Sequence, residues 1–221
     1  ELKKYLHKDC ITVNGKTIWQ NVESAECYNR EVIASAQQPV KDKGGVCILK
    51  GNLCEDGAVV KPSAASNHLL QHTGRAVVFE NMDDYKKRID DPVLDIDETC
   101  VMVLKNTGPK GYPGMPEVGN MGLPKKLLEK GITDMLRISD ARMSGTGFGT
   151  VVLHVSPEAA SGGTLAIVQD GDMITLDTYS KTLHLHVNDD EIAKRKKLLQ
   201  PFVPSVDRGY AYLYQQHVQM Q

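Results

Sequence analysis

A chain of 221 residues with 41% hydrophobic content can fill one large domain or two small ones. Its formal net charge of −2 provides no field for nucleic acid or for an anionic membrane surface, and those partners are not expected. No run of eighteen apolar residues occurs, and the N-terminal ELKKYLHKD lacks the apolar centre of a signal peptide, so a soluble, cytoplasmic chain is expected.

The start at Glu1, without a methionine and in what reads as the end of a helix, suits a piece of a longer protein. Five cysteines (Cys10, Cys27, Cys47, Cys54, Cys100) are scattered and include no CxxC pair. Reduced thiols, packed as small apolar residues, fit this better than a disulfide framework or a zinc site. Residues 11–18, ITVNGKTI, read as a hairpin about Asn14-Gly15. The following polar segment reads as a connection with one helical turn. From Gly44, GGVCILKGNL and DGAVVK are short strands joined by turns. SAASNHLLQH predicts a short helix capped by Ser63 or Ser66, and GRAVVFE a strand. MDDYKKRIDD is helical, with acids in its first turn and a stop at Asp91-Pro92. TCVMVLKN is a continuous apolar run of strand length, expected at the centre of a sheet and covered on both faces.

LPKKLLEKG has the proline start and glycine end of a helix, and ITDMLRI reads as a strand. Four further strands are expected at TVVLHV, LAIVQD, DMITLDT and KTLHLHV. NDDEIAKRKKLL is a helix capped by Asn188, and 201–221 a tail with little pattern. About nine strands and four or five short helices without a βαβ rhythm argue for an α/β (mixed) fold, a barrel or mixed sheet with short helices around it. The predicted division is a linker and hairpin at 1–43, the main domain at 44–200 and the tail at 201–221.

Two polar, glycine-rich loops stand out. One runs from Asn106 through the turn-forming Gly108–Gly119 and holds Glu117. The other, Ser139 to Thr150, aligns Ser139, Asp140, Arg142, Ser144 and Thr146, a row that a core does not require. SGTGFGT has glycines spaced G-x-G-x-G before a strand, whereas a phosphate cradle needs a helix N-terminus there. MSGTG is a poor nucleophile elbow, because Arg142 stands where the strained turn needs glycine. His68 and His72 share a predicted helix face but lack the glutamate of a zinc protease motif. His184 and His186 alternate with Leu183 and Leu185, so the histidines should face water. Glu117, with no apolar period to explain it, suits a hard cation such as Mg²⁺, although on the residues alone a solvated loop glutamate is the favoured reading. Ser144 could equally be a turn hydroxyl.

The phrases GNLCEDGAVVKPSAA, GRAVVFE, GPKGYPGMPEVGNMGLP, ISDARMSGTGFGTVVLHVSPEAASGG and GDMITLD follow one another over most of 44–177. In them the chain resembles the C-terminal domain of the dihydroxy-acid and sugar-acid dehydratases, a β-barrel-like swivelling domain with flanking short helices. GPKGYPGMPEVGNM and SDARMSGT resemble the branch acting on arabinonate and xylonate. The amino-acid-pathway branch typically has a second glycine at the place of Tyr112 and a GRFSGG-like loop at ARMSGT. The resemblance implies that Glu117 is one ligand of Mg²⁺ and Ser144 the base, with Thr146 beside it in binding or proton relay. It also implies an N-terminal dehydratase domain, without counterpart here, that carries an iron–sulfur cluster and the other Mg²⁺ ligands. The complete enzyme is then a homo-oligomer acting on a small sugar acid.

The chemistry so implied removes a weakly acidic C2 proton and a C3 hydroxide from a 2,3-dihydroxy acid, giving an enol that becomes a 2-keto-3-deoxy acid. Serine is a weak base alone and needs cationic neighbours, since a metal can depress an oxygen acid's pKa from 15.7 to roughly 7. Two readings compete with the hydro-lyase half: a non-catalytic binding module that keeps the fold, and a serine hydrolase using the same loop. Dihydroxy-acid dehydration in branched-chain amino-acid synthesis is the alternative within the family.

Overall fold

Asn14-Gly15 does form a turn, in which Gly15 takes φ +78 and Thr12 N donates to Lys16 O at 2.9 Å. The expected hairpin nevertheless shrinks to one antiparallel bridge, Ile11 with Thr17. The cause is a competing local bond set. Thr17 caps helix α1 (Ile18–Val22), its hydroxyl accepting from Gln20 N while the Gln20 side chain accepts from Thr17 N. The second arm of the hairpin is thereby used to start a helix. The computed structural model describes residues 1–41, 43–204 and 206–219. They fall into two compact units, Glu1–Gly44 and Gly45–Gln221.

The second unit is built on eight strands: β1 (Cys47–Gly51), β2 (Cys54–Val60), β3 (Gln71–Phe79), β4 (Val101–Leu104), β5 (Arg137–Ser139), β6 (Val151–Ser156), β7 (Met173–Asp177) and β8 (Thr182–Leu185). They close into a barrel in the order β1-β2-β6-β5-β4-β3-β7-β8. The barrel is mixed. β3, β4, β5 and β6 run parallel to their neighbours in that row, as β1 does to β8, while β1–β2, β2–β6, β3–β7 and β7–β8 are antiparallel. Short helices flank it: α2 (Met82–Arg88), α3 (Lys125–Leu128), α4 (Asp189–Leu198) and α5 (Gly209–His217).

The fully apolar β4 is explained by two cores. Val101 and Val103 join the barrel interior with Leu49, Val60, Ile138, Ile174 and Leu185. Met102 and Leu104, pointing the other way, pack with Phe79, Leu127 and Met135, with Tyr85 of α2 against them. On β8 the expected alternation holds, with Leu183 and Leu185 fully buried and His184 and His186 exposed.

Four expectations change. SAASNHLLQH keeps only a three-residue 3₁₀ turn, Asn67–Leu69, because Gln71 and His72 are drawn into β3 by pairing with Asp177 and Leu176 of β7. The shared helix face of His68 and His72 therefore does not exist. LAIVQD is a 3₁₀ turn, Thr164–Ile167, rather than a ninth strand. Leu165, Ala166, Ile167 and Val168 all pack on the barrel interior, which an alternating strand cannot arrange. ITDMLRI pairs as strand only from Arg137, although Leu136 O still accepts from Met102 N. The 201–221 segment contains α5, whose Gln215 is buried and donates to Lys110 O at 3.0 Å.

A buried ion pair lies at the start of β5. Arg137 Nη2 donates to Asp134 Oδ1 at 2.7 Å, and the side chains are only 6% and 2% exposed. Arg137 also donates to Asn120 Oδ1 and Met121 O, at 2.8 and 2.9 Å. Asp134 accepts from Thr150 N and Oγ1 and from Ser66 N. The chain between them must be glycine: Gly149 takes φ +120, and a Cβ there would lie 1.8 Å from Arg137 Nη2. Burial works against the Asp134 carboxylate, yet bonds from Thr150 and Ser66 and the charge of Arg137 hold its pKa below the ordinary aspartate value.

Two measurements test this framework. Amide hydrogen exchange should be slowest in Val101–Leu104 and in the buried run Met135–Ile138; exchange there as fast as in the C-terminal segment would refute their placement in the core. Asp134→Asn leaves Arg137 buried without its countercharge and should cost about 3–5 kcal/mol in denaturant unfolding at neutral pH. Because the folded pKa is lowered, this stabilisation is present above the unfolded value of about 3.9 and is lost as pH falls through the folded one. The gap between wild type and Asp134→Asn should therefore narrow in acid. A gap that stays constant would show that the carboxylate charge is not what stabilises β5.

Candidate active site

β4 and β5 are parallel neighbours, so the loops leaving their C-terminal ends emerge at one end of the barrel. The first runs from Lys105 to Asn120 and the second from Asp140 to Thr150. Sequence reasoning treated Ser139 and Asp140 as part of one polar row with Ser144, but the structure divides that row. Ser139 and Asp140 are fully buried, whereas Arg142, Ser144 and Thr146 are exposed. A core does use such residues when they bind backbone that would otherwise be orphaned.

Asp140 accepts from Thr107 N and Oγ1, both at 2.9 Å, and from Ala159 N at 2.9 Å. Burial pushes its carboxyl pKa up even so. Glu158 does similar work on the first loop, accepting from Lys110 N at 3.0 Å and Gly111 N at 3.1 Å. Burial raises its pKa as well. The carboxylate sits so close to the loop that a Cβ on Gly108 would lie 2.6 Å from Glu158 Oε2. Both loops are thus anchored from below by buried acids.

Above the anchors the loops are tied to each other through Arg142. Its Nε donates to Met115 O at 2.6 Å, its carbonyl accepts from Gly119 N at 2.9 Å, and its Nη1 lies 3.5 Å from Glu117 Oε1. Glu117 therefore stands on the same face as the second loop. Its side chain is 47% exposed, and the long contact with Arg142 leaves carboxylate oxygen accessible. Ser144 Oγ and Thr146 Oγ1 are 3.2 Å apart. Either hydroxyl can donate to the other.

One accessible carboxylate fits a single hard-cation ligand. Among the described residues no cluster of three or more His, Cys, Asp or Glu side chains could hold a metal. Glu117 can act only as one member of a ligand set completed by other groups. All five cysteines are free thiols, with Cys54 and Cys100 buried. Cys47 and Cys54 lie at opposite ends of the β1–β2 hairpin, pairing with Val60 and Gly51. Burial pushes the Cys54 thiol to about 12 and raises that of Cys100, as expected of small side chains packed in the core.

Four residues that build the site escaped sequence reasoning. Glu158 was hidden in a phrase without period, Asp134 and Arg137 in a run read as a strand, and Lys61 at the end of DGAVVK. The last donates from Nζ to the carbonyls of Ser144, Gly145 and Gly147. For Asp134, Arg137 and Lys61 the available signal was a charged residue inside, or closing, an otherwise apolar run, which calls for a buried partner.

A family model described as the dihydroxy-acid/6-phosphogluconate dehydratase C-terminal domain matches residues 31–221. An L-arabinonate dehydratase of Rhizobium leguminosarum bv. trifolii is 60% identical over 97% of the chain, and an L-arabonate dehydratase of Azospirillum brasilense 59% identical over 95%. A 6-deoxy-6-sulfo-D-gluconate dehydratase of Pseudomonas putida is 46% identical over 99%. The chain spans 37%, 37% and 38% of the length of these three relatives. Among the described residues no helix is long and apolar enough to cross a membrane.

Proposed function

Because the chain belongs to the dihydroxy-acid/6-phosphogluconate dehydratase C-terminal family, we propose that it is the C-terminal part of a cytoplasmic hydro-lyase that dehydrates a pentonate-type sugar acid to a 2-keto-3-deoxy acid. The observation that carries this is the joining of the two loops by Arg142, which puts Glu117 on one face with the loop of Ser144 and Thr146. The choice of a sugar acid follows the arabinonate-type names of the relatives and the YPGMPE and RMSGT phrases.

In this reading the deprotonated Ser144 Oγ takes the C2 proton and becomes the hydroxyl. The electron pair released at C2 forms the C2–C3 double bond as the C3–oxygen bond breaks, and hydroxide leaves with a proton as water. The resulting enol tautomerises to the ketone. Thr146, 3.2 Å from Ser144 Oγ, donates to the deprotonated serine and carries the proton onward. Glu117 would contribute one oxygen to Mg²⁺, whose charge, when bound, would stabilise negative charge developing on the substrate. The remaining Mg²⁺ ligands and the iron–sulfur cluster are assigned to an N-terminal dehydratase domain. This chain's residues take part in the proton transfer and not in the departure of the C3 oxygen.

Ser144→Ala in the complete enzyme should abolish turnover while substrate affinity is largely kept, since a base acts in the transition state far more than in the ground state. Glu117→Gln should instead lower Mg²⁺ occupancy, and added Mg²⁺ should restore part of the rate. Steady-state kinetics with Mg²⁺ titrated, on protein of wild-type cluster content, separates the two. A Ser144→Ala enzyme with near wild-type kcat removes serine from the base role.

The chain alone should be inactive on pentonates and should hold no stoichiometric iron or sulfide after anaerobic reconstitution. A visible charge-transfer spectrum surviving desalting would overturn that assignment.

A further inference from the structure

Lys61 follows β2 and is half-buried. Its Nζ donates to Ser144 O and Gly145 O at 3.2 Å each and to Gly147 O at 3.4 Å. An ammonium has three N–H donors and no acceptor, so these three carbonyls use its whole capacity. Three carbonyl oxygens turned toward one point repel each other unless a cation sits there. The loop conformation thus requires Lys61, or a group of the same charge and reach.

The neighbouring backbone extends the support. Gly149 N donates to Ala64 O at 2.8 Å, and Ser66 N donates to Thr150 Oγ1 at 3.1 Å. Residues 61–66 therefore back the second loop from Ser144 to its end. With the loop carbonyls turned toward Lys61, the side chains of Ser144 and Thr146 are left on the exposed surface, their oxygens in contact.

We propose that Lys61 is a positioning residue for Ser144. It gathers the carbonyls of 144, 145 and 147 into one turn and so fixes where the serine hydroxyl stands. This rests on the reading of Ser144 as the base, and the experiment distinguishes the two.

The test uses the complete enzyme. Lys61→Met should lower kcat by about 10²-fold, the usual result of displacing a reacting group by about an ångström, with KM little changed. Hydrogen exchange should speed up at 144–149 while β4 stays as slow as in wild type. Lys61→Arg, which keeps a cation and its donors, should recover part of kcat and part of the protection. If Lys61→Met does not fold, Lys61→Gln is read by the same criteria. A neutral variant with wild-type kcat, or one that loses kcat while 144–149 exchanges as in wild type, overturns the proposal. Ser144→Ala is measured alongside. If that variant keeps turnover, the base reading fails, while the exchange of 144–149 still decides whether Lys61 clamps the loop.

Discussion

The site depends on the carboxylate of Asp140, which has no solvent exposure and holds three donors from two separate segments. Burying a charged or strongly polar group is unfavourable unless its hydrogen-bonding capacity is met. Here Thr107 at the start of the first loop and Ala159 beyond β6 supply the donors. Neither segment can move away without exposing a buried acid to an apolar surrounding. Asp140 is also the first residue of the second loop, so one group fixes the roots of both loops and the turn behind them.

The barrel supplies the frame on which such an anchor can act. Parallel pairing of β4 with β5 brings the two loop roots to the same end, and closure of the sheet removes the freedom of an open edge. The two-sided burial of β4 makes its position rigid from within and without. The Asp134–Arg137 pair then extends the same logic to the far end of the second loop, where Thr150 is held. The loop is fixed at both roots and bound along its middle by Lys61.

Much of this architecture was legible in the sequence, for identifiable reasons. β4 and β8 were readable because their side-chain pattern answers directly to burial, continuous where two cores meet and alternating where one face is wet. The cap at Asn188 was readable because it is local, its side chain accepting from Glu191 N at 2.8 Å. The failures at SAASNHLLQH and LAIVQD share another cause. In the first, pairing with a strand about a hundred residues away overrode local propensity, and in the second, packing against a barrel end overrode an apolar run. For the site, the glycine-rich loops set Glu117, Ser144 and Thr146 apart as polar side chains outside any apolar period, while the roles proposed for them came only from the family resemblance. Asp140 and Ser139 were misjudged because the task of a buried anchor is set by donors that lie far along the chain.

A contrast in burial runs through the two loops. The supports, Asp140, Glu158, Asp134 and Arg137, are buried, while Glu117, Ser144 and Thr146 stand on the surface. In water a serine hydroxyl has almost no basicity, and a single carboxylate holds Mg²⁺ weakly. Electrostatic catalysis gains its strength where water is excluded and the dipoles are already oriented. The loops supply the orientation, since their backbone is held from below. Exclusion of water has to come from whatever surface closes over the exposed face. On the proposed function that surface is the N-terminal dehydratase domain, which brings the remaining metal ligands with it. On that reading the rigid support on this side has a clear physical use: two surfaces that meet to form one site lose least on association when the side carrying the proposed base is already in its final shape.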